Sequence, residues 1–94
     1  MVSDSVTVGQ LVVSRAGRDQ GRAYVVVEVG DEGFVKVADG TQRRVAHAKR
    51  KNLRHLIVHR AVADSVAEAG AGRRISDEQV RQALQRLLGE AEAL

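Results

Sequence analysis

Three arginines, Arg15, Arg18 and Arg22, crowd a short stretch from Val13 to Arg22 that also carries Gly17 and Gly21. Further along lie the pair Arg43 and Arg44 and a second basic run, His47-Ala48-Lys49-Arg50-Lys51-Asn52-Leu53-Arg54-His55. Guanidinium groups grip phosphate oxygens bidentately, and lysine ammonium groups act as mobile point charges. The chemistry this set offers is therefore polyanion binding. A charged turn is usually no more than a solvated loop tip. Two basic segments gathered in one short chain without a matching counter-charge favour contact with a polyanion instead.

Other chemistries find less support. His47, His55 and His59 suggest a metal, and His55 and His59 would share one face if helical. With no cysteine and no carboxylate close by in sequence, contact with phosphate or water suits them better than zinc. Ser14, Asp19 and His47 form a nominal triad, but no nucleophile elbow or oxyanion glycine pattern frames the serine. Gly70-Ala71-Gly72-Arg73-Arg74 lacks the preceding strand and third glycine of a dinucleotide loop. The reading is non-enzymatic, without cofactor or metal. Tyr24 and Phe34 are the only tyrosine and phenylalanine, and tryptophan is absent. Base stacking is poorly supplied, so the backbone and shape of folded RNA suit this chain better than single strands. Tyr24 is expected as half-buried packing with its hydroxyl in water.

These residues need elements to position them. Gln10 to Val13 and Ala23 to Val29 are rich in β-branched residues, and the glycines between them supply the positive φ that a tight antiparallel connection requires. The arginines then sit on a β-hairpin tip. Gly30-Asp31-Glu32-Gly33 and Ala38-Asp39-Gly40-Thr41 read as two further turns around the strand Phe34-Val35-Lys36-Val37, giving a meander. In the second strand Val25, Val27 and Val29 alternate with Tyr24, Val26 and Glu28, so both faces are partly apolar. One face fills an interior and the other needs a cover. His55-Leu56-Ile57-Val58-His59 reads as a closing strand.

A helix is expected from Ser76, whose spacing to Gln79 makes a capping box, with Ile75 and Val80 as a hydrophobic staple. Val80, Ala83, Leu84, Leu87 and Leu88 form one apolar stripe, and Gly89 reads as the stop. Packing of this stripe on the sheet is favoured over dimerisation, since no long heptad run demands a partner. A weaker helix is expected from about Ala61 to Ala69, with Gly70 to Arg74 as the connector of a helical hairpin.

Composition narrows the class. At 94 residues the chain accommodates one modest core, and 44% hydrophobic content is enough to build it despite 2% aromatics. The absence of cysteine excludes disulfides and thiolate chemistry. Neither a leader-like N-terminal segment nor an apolar run of membrane-spanning length is apparent, so a cytoplasmic protein without a membrane role is expected. Net charge is +3, unevenly spread. Residues 9–60 carry eleven basic and five acidic side chains, whereas residues 61–94 carry four basic and six acidic. Polyanion contact is thus expected from the first part alone.

The order of elements from Gly9 to Leu56 resembles the KOW domain, and more narrowly the KOW proteins of archaeal and eukaryotic large ribosomal subunits and their bacterial RNA-binding homologues. The resemblance rests on the glycine-framed loop Val13 to Arg22, then Asp31, Phe34 to Val37, Asp39-Gly40, Arg43-Arg44-Val45 and Lys49 to Leu56. Many KOW loops place a lysine before the second glycine, where this chain has Gln20, with Arg18 and Arg22 nearby to supply charge. The resemblance implies a small SH3-like barrel of about five strands; with the helices read above, the expected fold is mainly β, a barrel over residues 1–60 followed by a C-terminal helical hairpin over residues 61–94 packed on it. It implies RNA binding through the loop after the first strand and the neighbouring basic segments; with the charge pattern above, the expected contacts to structured RNA, ribosomal RNA foremost, are Arg15, Arg18, Arg22, Arg43, Arg44, Lys49, Arg50, Lys51 and Arg54, with Gly17 and Gly21 shaping the loop. The ribosome or ribosomal proteins would be partners, in a constitutive or assembly role, with no small-molecule substrate. The rival is a KOW module that docks on protein within a transcription or translation complex. Non-specific DNA binding is a third possibility.

Overall fold

The structure, a computed structural model, describes residues 6–70 and 75–93. Five antiparallel strands form one sheet in the order β4-β3-β2-β1-β5: β1 (Gln10–Ser14), β2 (Ala23–Val29), β3 (Phe34–Ala38), β4 (Lys49–Asn52) and β5 (Leu56–Val62). Two helices follow, α1 (Asp64–Gly70) and α2 (Asp77–Ala93). Short 3₁₀ turns at Val45–His47 and Leu53–His55 flank β4.

Strand alternation divides the apolar side chains into two clusters, one on each face of the sheet. On one face Leu11, Val25 and Ala38 sit side by side across three strands, covered by Val66 of α1 and Val80, Ala83 and Leu87 of α2. The stripe expected on the last helix is the surface that closes this face, with Ile75, Leu84 and Leu88 packed at its margin. On the other face Val12, Tyr24, Val26, Val35, Val37 and Leu56 cluster without helix cover. The two-sided character of β2 therefore reflects two interiors.

The second interior exists because the sheet curls. Register shifts between Val26 and Glu28 and between Gln10 and Val12 insert bulges, which sharpen twist and bend. In a flat sheet β4 and β1, three places apart, would be separated by roughly 14 Å. Here Nζ of Lys51 on β4 donates to Oγ of Ser14 on β1 across 3.0 Å. β4 and β5 occupy the two ends of the strand order and share no ladder among the described residues, so the sheet is curled but not closed by backbone pairing.

Local signals set most boundaries. Gly17 and Gly21 hold φ of 84° and 89° in the β1–β2 connection, the left-handed conformation that glycine adopts without strain. Ser76 and Gln79 make the reciprocal capping box, with Ser76 N–H donating to Gln79 Oε1 and Gln79 N–H to Ser76 Oγ.

Three expectations require correction. α1 begins at Asp64 and not near Ala61, because β5 runs on to Val62, paired with Gln10, and Ala63 N–H donates to the carbonyl of Gly9. The closing strand accordingly starts at Leu56, leaving His55 in a 3₁₀ turn. Gly89 does not stop α2, which continues to Ala93. A helical glycine costs about 1 kcal/mol relative to alanine, too little to end a helix that no proline interrupts. Of the expected connector Gly70 to Arg74, residues 71–74 lie outside the described residues.

Candidate nucleic-acid interface

Asp19 organises the arginine-bearing loop between β1 and β2. Its carboxylate accepts from Ser14 Oγ at 2.8 Å and Lys51 Nζ at 2.9 Å through Oδ1, and from Tyr24 Oη at 2.7 Å through Oδ2. Lys49 Nζ lies 3.5 Å from Oδ2. Burial pushes this carboxyl up, but the hydrogen bonds from Lys51, Tyr24 and Ser14, together with the Lys51 charge, outweigh it and hold Asp19 well below the usual carboxylate range. The same burial, with the hydrogen bond to Asp19 and its charge, pushes the Tyr24 phenol up to about 12. Tyr24 is thus 3% exposed with its hydroxyl committed to Asp19, not half-buried with the hydroxyl in water.

Backbone bonds complete the loop. Ser14 N–H donates to Arg22 O, Gly21 N–H to Ser14 O and Arg22 N–H to Asp19 O, each at 2.8–2.9 Å. Arg15 N–H donates to His55 O at 2.9 Å, which sets the loop beside the 3₁₀ turn that carries Arg54. On the other flank Arg22 Nη1 donates to Gln42 Oε1, so the loop also meets the turn that precedes Arg43 and Arg44. That turn is shaped by Asp39, whose Oδ1 accepts from the backbone of Thr41 and Arg43. Burial raises the Asp39 carboxyl, and these backbone donors more than reverse it.

The structure thus puts Arg15, Arg18 and Arg22 on the β1–β2 loop, joins that loop through Arg22 to the turn before Arg43 and Arg44, and sets it through Arg15 beside the 3₁₀ turn that carries Arg54. The turn of Arg43 and Arg44 is also tied to α2, where Val45 N–H donates to Asp77 Oδ1 and Arg81 Nη1 to Gly40 O. Arg15, Arg18, Arg44 and Arg54 are exposed and have no carboxylate partner within ion-pair distance among the described residues. Arg43 is half-buried, and its Nη1 donates to His47 O at 3.2 Å. Strand alternation splits the run Lys49-Arg50-Lys51. Lys49 and Lys51, opposite Val37 and Val35, turn toward the curled interior, and the Lys51 side chain is only 9% exposed. Arg50, opposite Lys36, lies on the other face with its guanidinium 3.6 Å from the centroid of the Phe34 ring. It stands apart from the loop cluster.

Asp19 and Gln42 are the site residues that the charge pattern did not single out. A lone acid inside an arginine-rich loop was the available signal for Asp19, whereas nothing local marks Gln42. The nominal triad does not assemble among the described residues: Ser14 Oγ donates to Asp19 Oδ1 at 2.8 Å, with Ala16 O at 3.0 Å as the alternative acceptor for its one proton, and no described hydrogen bond joins His47 to them. No cluster of metal-ligating side chains occurs among the described residues. Nor is any described helix long and apolar enough to cross a membrane.

No protein-family model matches the chain. It is 30% identical over 80 residues to large ribosomal subunit protein eL14 of Staphylothermus marinus, covering 85% of this chain and 77% of that protein. It is 32% identical over 80 residues to eL14 of Pyrobaculum neutrophilum, covering 85% of this chain and 72% of the other. With a curled five-stranded sheet and an arginine-rimmed loop in a chain aligned over most of its length with these proteins, the protein belongs to the large ribosomal subunit protein eL14 family.

Proposed function

We propose that the protein is a non-catalytic, ribosome-associated protein that binds structured RNA, ribosomal RNA above all, through the loop cluster around Asp19. The observation that carries this reading is the set of exposed guanidinium groups of Arg15, Arg18, Arg44 and Arg54, which lack an ion-pair partner among the described residues and ring a loop fixed by internal hydrogen bonds. A rigid loop spends little ordering entropy when it meets a phosphate backbone. Family membership supplies the ribosomal context, since the two relatives are large-subunit proteins by name. Lys49 adds to the field, Arg43 and Arg22 extend the contact along the next turn, and Lys51 acts from inside.

In this reading the sheet is the SH3-like barrel of a KOW module over residues 1–60, and residues 61–94 are a helical hairpin that covers it. The protein works in the cytoplasm, where its partners are ribosomal RNA and neighbouring ribosomal proteins. The mildly acidic helices are the side turned away from RNA.

The test is sedimentation of the native protein with ribosomal fractions at low and high salt, alongside binding to folded ribosomal RNA, duplex DNA and single strands. Contact through Z phosphates requires a log-log salt slope of about −0.7Z to −0.9Z. A salt-insensitive association with the particle would favour docking on protein, and preference for duplex DNA over folded RNA would remove the ribosomal assignment.

A further inference from the structure

We propose that Asp19 is a positioning residue for RNA: by tying the arginine loop to Lys51, Tyr24 and Ser14 it holds Arg18 and Arg22 beside Arg15 in the arrangement that meets phosphate, and its presence strengthens polyanion binding despite its negative charge. The inference rests on the loop being the RNA-binding element and deepens that reading.

Asp19 occupies the place in a phosphate-binding loop where simple electrostatics argues against an acid. An acidic side chain among arginines lowers the local potential and should weaken attraction for RNA. Its two oxygens, however, are turned inward. Four donors from three strands converge on them: Ser14 of β1, Tyr24 of β2, and Lys49 and Lys51 of β4. The Asp19 side chain is 11% exposed and that of Lys51 9%, so the pair neutralises itself away from solvent and sends little field to the rim. Among the described residues the side chains of Arg15, Arg18 and Arg22 carry no such tie to the sheet, and Arg22 reaches Gln42, on a neighbouring turn. The placement of Arg18 and Arg22 follows from the loop backbone, where Arg22 N–H donates to Asp19 O, and from the Asp19 side chain, which pins that loop to β4. Asp19 lies between Gly17 and Gly21, both with positive φ, so without its pin the segment carrying Arg18 has two points at which it can swing, and Arg22, whose N–H donates to Asp19 O, shifts with it. A loop that must be ordered on binding loses affinity by the cost of that ordering.

Three variants of the full-length chain decide the matter, measured by affinity for folded ribosomal RNA and by its salt dependence, with folding checked by melting. Asp19→Asn removes the charge with little change of shape, and Tyr24→Phe removes one hydroxyl from the same network while keeping the buried ring. Asp19→Asn paired with Lys51→Met removes both buried charges together, which restores stability lost by the single change. The expected result is an affinity about five- to tenfold lower for Asp19→Asn, still low in the double variant, and about twofold lower for Tyr24→Phe, each at a temperature where the protein is folded. A rise in affinity for Asp19→Asn would mean that the acid only opposes RNA, and recovery of wild-type affinity in the double variant would reduce the pair to a stability element; either outcome overturns the proposal. Should Asp19→Asn fail to fold, unchanged affinity in the other two variants overturns it equally. If replacing Arg15, Arg18 and Arg22 by serine leaves affinity intact, it is the choice of RNA face that has failed, a result these variants do not mimic.

Discussion

The two faces of the sheet are finished by different physics. Under α1 and α2 the closure is apolar: Leu11, Val25, Val66, Val80 and Leu87 are each no more than 1% exposed, and fit rather than charge holds them. On the opposite face the curl leaves a smaller apolar cluster, and its open end, beside the arginine loop, is sealed by Asp19, Lys51, Ser14 and Tyr24. Apolar burial supplies most of the free energy and tolerates small displacements. A directional network fixes where a particular loop goes.

The largest break in this comparison is expected from Leu87→Asp. Leu87 lies at the centre of the helix-covered cluster, so the change either buries an unpaired carboxylate or lifts α2. A loss of about 2–4 kcal/mol in denaturant unfolding is expected, with RNA affinity retained wherever the sheet is still folded. Loss of RNA binding at full folding would merge the two faces functionally. Replacing Arg15, Arg18 and Arg22 together by serine should do the reverse. RNA affinity should fall by at least about tenfold, on the order of 1.4 kcal/mol, with stability within about 0.5 kcal/mol of the parent, because these side chains are exposed and fill no core volume.

A smaller effect, confined to the polar seal, is expected at alkaline pH. Tyr24 is neutral when folded at a pH where an unfolded tyrosine would ionise, its folded value being raised to about 12 against about 10 for the free side chain. Its contribution is complete below pH 10 and is lost as pH rises through about 12. Melting followed between those limits should show a loss on the order of 1 kcal/mol that Tyr24→Phe abolishes. An identical pH profile in the variant would assign the alkaline loss to other groups. The smallest effect sharpens the spatial claim. Arg50→Ser, on the face away from the loop, should leave RNA affinity within about twofold, while Arg54→Ser beside Arg15 should cost more.

Much of this fold was legible in the chain because its cues are local. Gly17, Gly21, Asp39-Gly40 and the Ser76–Gln79 box each act within a few residues, and each does in the structure what its spacing implies. The stripe on α2 was legible for the same reason. What escaped depends on residues distant in sequence. Lys51 is buried only because bulged strands curl β4 back to β1, a property of the whole sheet; read along the chain it is one of three adjacent cations. The hydroxyl of Tyr24 finds Asp19 by the same closure. Ala61 and Val62 stay in β5 because β1 offers a partner and Gly9 a carbonyl, although alanine favours helix.

Gly89 has a consequence for how α2 comes apart. Before it, Val80, Ala83 and Leu87 anchor the helix to the sheet; at it, nothing lies within 4 Å of where a side chain would begin. Past that point the described side-chain bonding is the exposed Arg86–Glu90 pair at 3.2 Å, of the kind that contributes a few tenths of a kcal/mol. Amide protons between Val80 and Leu87 should therefore exchange only when the sheet itself opens. Through Leu87 the helix therefore shares the fate of the core, and Gly89 marks a place on it where a side chain could be added without touching the sheet.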